Sequence, residues 1–358
     1  MQTPFLTLDP AEVEAAYRRF TAALPDVVVC YAMKCQPHPA VLRRLAALGS
    51  SFEVASAAEL DALVAIGVDP AGLLFSHPVK PPAHIAHAYA AGLRAFAADS
   101  VLELDKLAAH APGSRVYLRM AGPASASVVA SEGKFGVSPA TAADLLRAAA
   151  DRGLAPYGLT FHVGSQMLDP EPWVLAIKEA GAVMAGLAED GIRLGMLDIG
   201  GGFPVPYATP VPPIGAFAAR IRAALAESLP YDVAVVAEPG RYLAAAAGTL
   251  TATVVGVAER PGGTWLHLDA GAFHGLIEAL ETGNTLRFPV TDSRDSPRRR
   301  RYHLTGPSCD SQDTIQYDEP LSADLTVGDR VYFGAAGAYT TAYSRDFNGL
   351  PAPTVHCR

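Results

Sequence analysis

Short apolar runs alternate with amphipathic segments through the first 240 residues. The runs "VVVCYAMK" (27–34), "FEVAS" (52–56), "LLFSH" (73–77), "AFAAD" (95–99), "VYLRM" (116–120), "GLTFHVG" (158–164), "MLDIGGG" (196–202) and "VAVVAEPG" (233–240) have the length and continuity of buried strands. Between them, "PAVLRRLAALG", "AAELDALVAIG" and "TAADLLRAAADRG" are helix-like and end on glycine, the usual residue of the left-handed turn after a helix. Eight such units in series predict an α/β fold built on a (β/α)8, TIM-like barrel over residues 13–240. A doubly wound open sheet fits the same alternation, because a strand count does not establish closure.

Beyond residue 241 the texture changes. "GTLTATVVGVAE", "TWLHLDAG", "LRFPV", "RYHLTGP" and "DRVYFGAAG" are short β-type runs separated by Gly/Pro turns. They predict a second, mostly antiparallel β domain over 241–358. The N-terminal run "TPFLTLD", within residues 1–12, is positioned to add a strand to it. No internal repeat is evident beyond the βα alternation.

Composition narrows the function. Half of the 358 residues are hydrophobic and 18% are charged, which suits a large core. A net charge of -8 argues against a nucleic-acid binder. No stretch approaches the ~18 consecutive apolar residues of a membrane span. The start, "MQTPFLTLDP", lacks the basic and apolar regions of a signal peptide, so cytoplasmic residence is expected. Cys30, Cys35, Cys309 and Cys357 form no CxxC pair and no zinc spacing, so reduced thiols and no bound metal are expected. The one charge run, "TDSRDSPRRRRYHL" (291–304), reads as a solvated hairpin loop, with a phosphate-binding patch at its arginines (294–301) as the alternative.

A barrel places its chemistry at the C-terminal ends of its strands. There stand Lys34, Glu53 with Ser56, His77, Asp99, Arg119, His162 with Ser165, the run Gly200-Gly201-Gly202, and Glu238 with Arg241. Each alone has a plain reading: a rim lysine, a turn glutamate, a core histidine. Lys34 is the most demanding, since burying an ammonium is costly unless it is paired or chemically used. Only five of the 28 basic residues are lysines. "DIGGGFP" (198–204) and "EPGRY" (238–242) follow the last two strands, where (β/α)8 barrels often hold a phosphate. A phosphate, a buried lysine and a carboxylate around one barrel mouth suggest pyridoxal phosphate. The amine condenses with its aldehyde and the acid keeps its ring nitrogen protonated. At the same mouth, the His162 imidazole is placed to stack on a flat ring and Ser165 to bond phosphate.

The ordered series "YAMKC", "FEVAS", "FHVGSQ", "DIGGGFP", "AEPGRY", "GPSCDSQD" and "GAYTTAYSRDFNG" resembles the fold-type III pyridoxal-phosphate-dependent decarboxylases, the ornithine/lysine, diaminopimelate and arginine decarboxylase group. The likeness is greatest to the bacterial ornithine/lysine enzymes. The resemblance implies a homodimer with shared active sites and the decarboxylation of a diamino acid, L-ornithine or lysine, to a diamine and CO2. Diaminopimelate, arginine and a specialised biosynthetic amino acid stay open as substrates. Racemases of the same fold class place an arginine where Glu238 stands, which weakens the electron sink. A non-catalytic cofactor-binding homologue would be expected to lose residues that this chain keeps.

By position, Lys34 corresponds to the cofactor-bound lysine and Glu238 to the partner of the ring nitrogen. His162 corresponds to the ring-stacking residue. Ser165, Gly200, Gly201, Gly202, Gly240, Arg241 and Tyr339 correspond to the phosphate surround. Glu53 and Arg119 correspond to the cofactor-proximal acid and arginine, although the ornithine enzymes more often carry aspartate at the former. Cys309 and Asp310 resemble the pair reaching in from the other subunit, the cysteine for protonation and the aspartate for the distal amine. Lys134, in "SEGKFG", and Asp313 resemble an ion pair across that interface, and Phe347 lies in the matching "FNG". The second distal acid is missing from its usual place, and Glu278 and Glu281 in "EALETGN" stand nearby instead.

Overall fold

The chain closes eight parallel strands into a barrel in a computed structural model that describes residues 1–123, 127–129 and 133–358. Ser131 and Glu132 of the "SEGKFG" segment lie outside the described residues. Strand β1 (Phe5–Leu8) comes first, then a helix over Pro10–Ala23. The barrel follows as β2 (Val27–Ala32), β3 (Ser51–Val54), β4 (Leu74–Phe75), β5 (Ala95–Ala98), β6 (Arg115–Arg119), β7 (Ala155–Thr160), β8 (Met196–Asp198) and β9 (Ala234–Ala237). β2 pairs in parallel with β9, Val27 opposite Val235, which closes the ring and excludes the open sheet.

Alternation along each strand separates two apolar sets. Cys30, Leu74, Ala95, Ala97, Tyr117, Met196 and Val236 form one buried cluster. Their cross-strand partners include Glu53, opposite Leu74, and Asp198, opposite Val236, so acids share the interior face of the barrel. Alternate residues such as Val29, Phe52, Phe96 and Leu118 join the larger core under the helices.

The helices begin and end where the sequence signals place them. The helix over Ala57–Val64 is capped by Ser56, whose hydroxyl accepts the Glu59 N–H. The helices over Pro39–Ala47 and Ala57–Val64 run into Gly49 and Gly67, both with positive φ, which no β-carbon opposes. The strands differ from the sequence pattern at their C-terminal ends, where each stops short of the apolar run. β2 ends at Ala32, and Met33–Cys35 forms a 3-10 turn, so Lys34 stands on a turn rather than in a strand. β8 ends at Asp198 because Gly200 (φ 66°) and Gly202 (φ 103°) turn the chain out of the ladder.

That turn is anchored from below. Trp173 is fully buried, lies stacked on Phe203 (4.9 Å between centroids) and meets the edge of Phe217. Its indole N–H donates to the Ile199 carbonyl, just before the glycines, at 3.1 Å. Trp173→Ala is expected to cost about 3–5 kcal/mol of stability through the cavity it leaves. A lower urea midpoint at unchanged slope checks this; an unchanged midpoint contradicts it.

The second sheet holds β10 (Gly248–Arg260), β11 (Gly263–Leu268), β12 (Val290–Asp292), β13 (Arg299–Thr305), β14 (Thr314–Ser322), β15 (Arg330–Phe333) and β16 (Thr354–Cys357). Their order is β12-β15-β10-β11-β13-β14; β1 pairs antiparallel with the start of β10 and parallel with β16. The run "LRFPV" is mostly not strand, since only Val290 of it belongs to β12. The arginine-rich segment is a loop only in its first half, because Arg299–Arg301 open β13. Three of its five arginines are paired locally, Arg294 with Asp329, Arg299 with Asp292 and Arg300 with Glu259. Among the described residues no helix is long and apolar enough to cross a membrane.

Candidate active site

Lys34 projects from the turn after β2 into a cavity of about 620 Å3, open space at its mouth included. Its Nζ lies 2.6 Å from Glu53 Oε1, and Glu53, at the end of β3, is buried. The lysine side chain is half exposed, and it lines both cavities at the barrel mouth. Withdrawal from bulk water opposes its charge, but the carboxylates of Glu53 and Glu238 outweigh this and hold the ammonium above its ordinary range. Glu53 Oε2 is buried and bonds nothing among the described residues.

Glu238, after β9, lines the same cavity. Burial raises it well above the usual carboxylate range, and the neighbouring Asp198 and Glu53 add to the rise. Asp198 is raised by burial too, although it accepts the Gly200 N–H and the Thr160 hydroxyl, each at 2.8 Å. The Ser76 hydroxyl bonds Glu238 Oε1, and Tyr117 OH lies 3.0 Å from Ser76 Oγ. His162 and Arg119 complete this wall. Burial, then the charges of Arg119 and Lys34, bring the His162 imidazole down to about 3, so it presents a neutral flat face.

The same cavity is also lined by Ser165, Gly201, Gly202, Gly240, Arg241 and Tyr339. A β-carbon at Gly201 would lie 2.6 Å from the Glu238 carbonyl oxygen, and one at Gly240 2.9 Å from Cys35 Cβ. Only glycine permits so close an approach. No acceptor among the described residues bonds the N–H groups of Gly201, Gly202 or Gly240. Gly200 N–H, by contrast, is spent on Asp198, so that glycine shapes the turn.

Arg241 is buried and all five of its N–H groups are matched within the chain. Ser165 Oγ accepts two (3.1 and 3.0 Å), Tyr207 OH one (2.6 Å), and the Glu278 oxygens one each (2.8 and 2.5 Å). Glu278 is thereby corrected from a substrate ligand to the counter-ion of Arg241. Both its oxygens are committed, and a buried pair of this kind is broken only at high cost.

A wider cavity adjoins the first, sharing Lys34, His162, Ser165, Arg241 and Tyr339 and adding, among others, Lys134, Phe135, Glu278, Glu281 and Tyr343. Cys309, Asp310 and Phe347 line neither. Cys309 and Asp310 are exposed, and Asn348 Nδ2 lies 3.6 Å from Cys309 Sγ. Phe347 packs on Phe273 at 4.5 Å. Asp313 corrects the expected interface pair: it is fully enclosed by its own chain. It accepts the Ala272 N–H at 2.8 Å and the Ser308 N–H and hydroxyl at 3.1 and 2.6 Å, and offers no oxygen to a lysine outside.

Three strand-end residues turn out to be scaffolding. Ser56 caps a helix, Asp99 accepts the Gly136 N–H, and His77 Nδ1 accepts the Val79 N–H while its ring meets Phe135. Ser76, Tyr117, Asp198, Thr160 and Tyr207 were not singled out by sequence reasoning. Asp198 stood inside the quoted "DIGGG", where an acid opening a glycine turn was the available signal.

The residues present fit pyridoxal phosphate on three observations. There is a lysine amine between two acids, an orphaned buried carboxylate oxygen in Glu53, and a glycine cradle with unbonded N–H groups beside a buried arginine.

Residues 10–245 match the family described as "Pyridoxal-dependent decarboxylase, pyridoxal binding domain". The lysine/ornithine decarboxylase of Selenomonas ruminantium is 36% identical, over 99% of this chain and 89% of its own length. The crystal structure of the Vibrio vulnificus lysine/ornithine decarboxylase complexed with cadaverine superposes with a TM-score of 0.91 at 37% identity, covering 99% of this chain and 94% of that one. The arginine decarboxylase of Paramecium bursaria Chlorella virus superposes at 0.93 with 28% identity, covering 100% and 96%.

Proposed function

The chain belongs to the pyridoxal-dependent decarboxylases of basic amino acids, and from that premise we propose that it acts on L-ornithine or L-lysine, leaving the diamine. Its cofactor is pyridoxal 5'-phosphate, which when bound supplies an aldehyde for amines and a pyridinium that accepts the electron pair left by departing CO2. Lys34 holds the reactive amine at the barrel mouth. Glu238, when ionised, would place a negative charge at the ring nitrogen and so favour its protonated form. The neutral His162 face would pack against the ring, and the Gly201, Gly202 and Gly240 N–H groups with Tyr339 would meet the phosphate. From a second copy of the chain, Cys309 would donate a proton in the site and Asp310 would meet the distal ammonium. The four free thiols support a reducing compartment such as the cytoplasm.

The observation that carries the substrate choice is Glu281, a carboxylate with no ion-pair partner among the described residues, lining the cavity that also holds Lys34. A distal ammonium is its natural counter-ion. Diaminopimelate is the second reading, because Lys134 lines the same cavity and is placed to meet a distal carboxylate. A CO2-release screen over ornithine, lysine, arginine and diaminopimelate separates them. We expect the highest kcat/KM for ornithine or lysine; turnover of diaminopimelate alone would overturn the choice.

Glu281→Gln is expected to raise KM for the diamino acid about 10-fold or more with little change in kcat, the worth of one hydrogen bond to a charged group. An unchanged KM would place the distal amine elsewhere.

A further inference from the structure

Glu238 is an acid in a place that disfavours its charge, and one neighbour works the other way. Asp198 and Glu53 surround it, burial reinforces them, and the Ser76 hydrogen bond and the Lys34 charge oppose both. Ser76 stands immediately after β4, its backbone fixed by a 3.0 Å bond from its N–H to the Val54 carbonyl. Its Oγ lies within hydrogen-bond reach of two groups, Glu238 Oε1 and Tyr117 OH. Tyr117 rises from the interior face of β6 and is fully buried. Among the described residues its phenol has Ser76 as sole hydrogen-bond partner.

Counting protons fixes the direction. A hydroxyl has one proton to give, and an ionised carboxylate only accepts. With Glu238 ionised, Ser76 O–H donates to Oε1, and Tyr117 O–H, having no other acceptor, donates to Ser76 Oγ. We propose that Ser76 and Tyr117 are positioning residues: a two-membered hydrogen-bond chain that orients the Glu238 carboxylate for the ring nitrogen of the cofactor. The inference rests on the placement of Glu238 at that nitrogen proposed above.

The chain does two things for Glu238. It occupies one carboxylate oxygen and so removes rotational freedom, with Asp198 as the carboxyl group's other side-chain partner. It also stabilises the ionised form where two acids and burial favour the protonated one, and a protonated Glu238 cannot serve as counter-ion to a pyridinium. Tyr117 strengthens the Ser76 donor by polarising it from behind, as linked hydrogen bonds do in a dry interior. Thr160 plays the parallel part for Asp198 on the far side, donating to it at 2.8 Å.

The test uses holoenzyme reconstituted with cofactor labelled with nitrogen-15 in the ring. In Ser76→Ala the ring-nitrogen resonance is expected to move toward the unprotonated position, with kcat down about 10-fold and KM within about twofold. Tyr117→Phe removes one atom and leaves the fold intact; it should shift the resonance in the same direction by less. Ser76→Thr, which keeps the hydroxyl, should restore the native resonance. Glu238→Gln serves as the reference and should lose the protonated signal altogether. A native resonance in both Ser76→Ala and Tyr117→Phe, with Glu238→Gln altered, overturns the relay alone. A native resonance in Glu238→Gln overturns the placement of Glu238 instead.

Discussion

Lys34→Ala is expected to abolish CO2 release, with a fall in kcat of at least about 10^4-fold, the upper end of what one positioned acid–base group contributes. Among the described residues the amine is the only lysine nitrogen lining the inner cavity, Lys134 lining the wider one alone. The substitution also removes a charge. Glu53, Glu238 and Asp198 would then stand around one buried site, with Arg119 and the already paired Arg241 as the remaining cations lining the cavity. Carboxylates brought together without a counter-ion bind protons more tightly. Glu238 would drift toward the neutral form that cannot hold a pyridinium. Lys34→Arg separates the two effects, because a guanidinium keeps the charge but does not condense with an aldehyde under these conditions. Both variants should therefore be inactive. Both should also lack the visible absorbance that the wild-type gains on adding pyridoxal phosphate. Measurable turnover by either variant would refute the role given to Lys34.

The barrel was legible because strand and helix periods alternate cleanly over 240 residues and glycines mark the helix ends. The strand ends were less legible. An apolar run records burial, and burial continues past the last ladder bond: Met33 and Cys35 are as buried as Tyr31, yet they sit on a turn. β14 escaped notice for the opposite reason. It is the edge strand of its sheet, carries Asp318 at positive φ and Pro320, and so shows neither an apolar run nor a clean alternation.

The site divides along similar lines. Residues projecting from loops at the barrel mouth were found, since the fold itself says where chemistry gathers. Tyr117 and Asp198 were not, because they lie within strands and read as ordinary core or turn residues. Which way a carboxylate faces is a property of packing and is not written in its neighbours along the chain. Glu278 and Glu281 are three residues apart in the same short helix and both line the wider cavity, yet one is buried against Arg241 and the other is exposed. Asp313 reads as a surface acid from its polar neighbours Ser311 and Gln312, and the closed turn from Gly306 to Asp313 folds it inward.

The exposed position of Cys309 leads to a second large effect. Among the described residues the thiol lines neither cavity and bonds only Asn348, so its removal should leave the cofactor pocket intact. Cys309→Ala is expected to bind pyridoxal phosphate with wild-type absorbance while kcat falls on the order of 10^2-fold, as for loss of one proton donor. If the thiol acts in the site of a second copy, Lys34 and Cys309 of one active site belong to different chains. Homodimers of Lys34→Ala and of Cys309→Ala would each be crippled. Mixing them would create heterodimers in which one site carries both substitutions and the other carries neither. Random exchange between two-fold dimers makes half of them mixed, each with one restored site, so activity should recover to about one quarter of wild type. Sites built within single chains cannot complement in this way, because each chain keeps its own defect. An absence of recovery, with mixed dimers demonstrated by mass spectrometry, would therefore return Cys309 to its own subunit and remove the reason for a shared site.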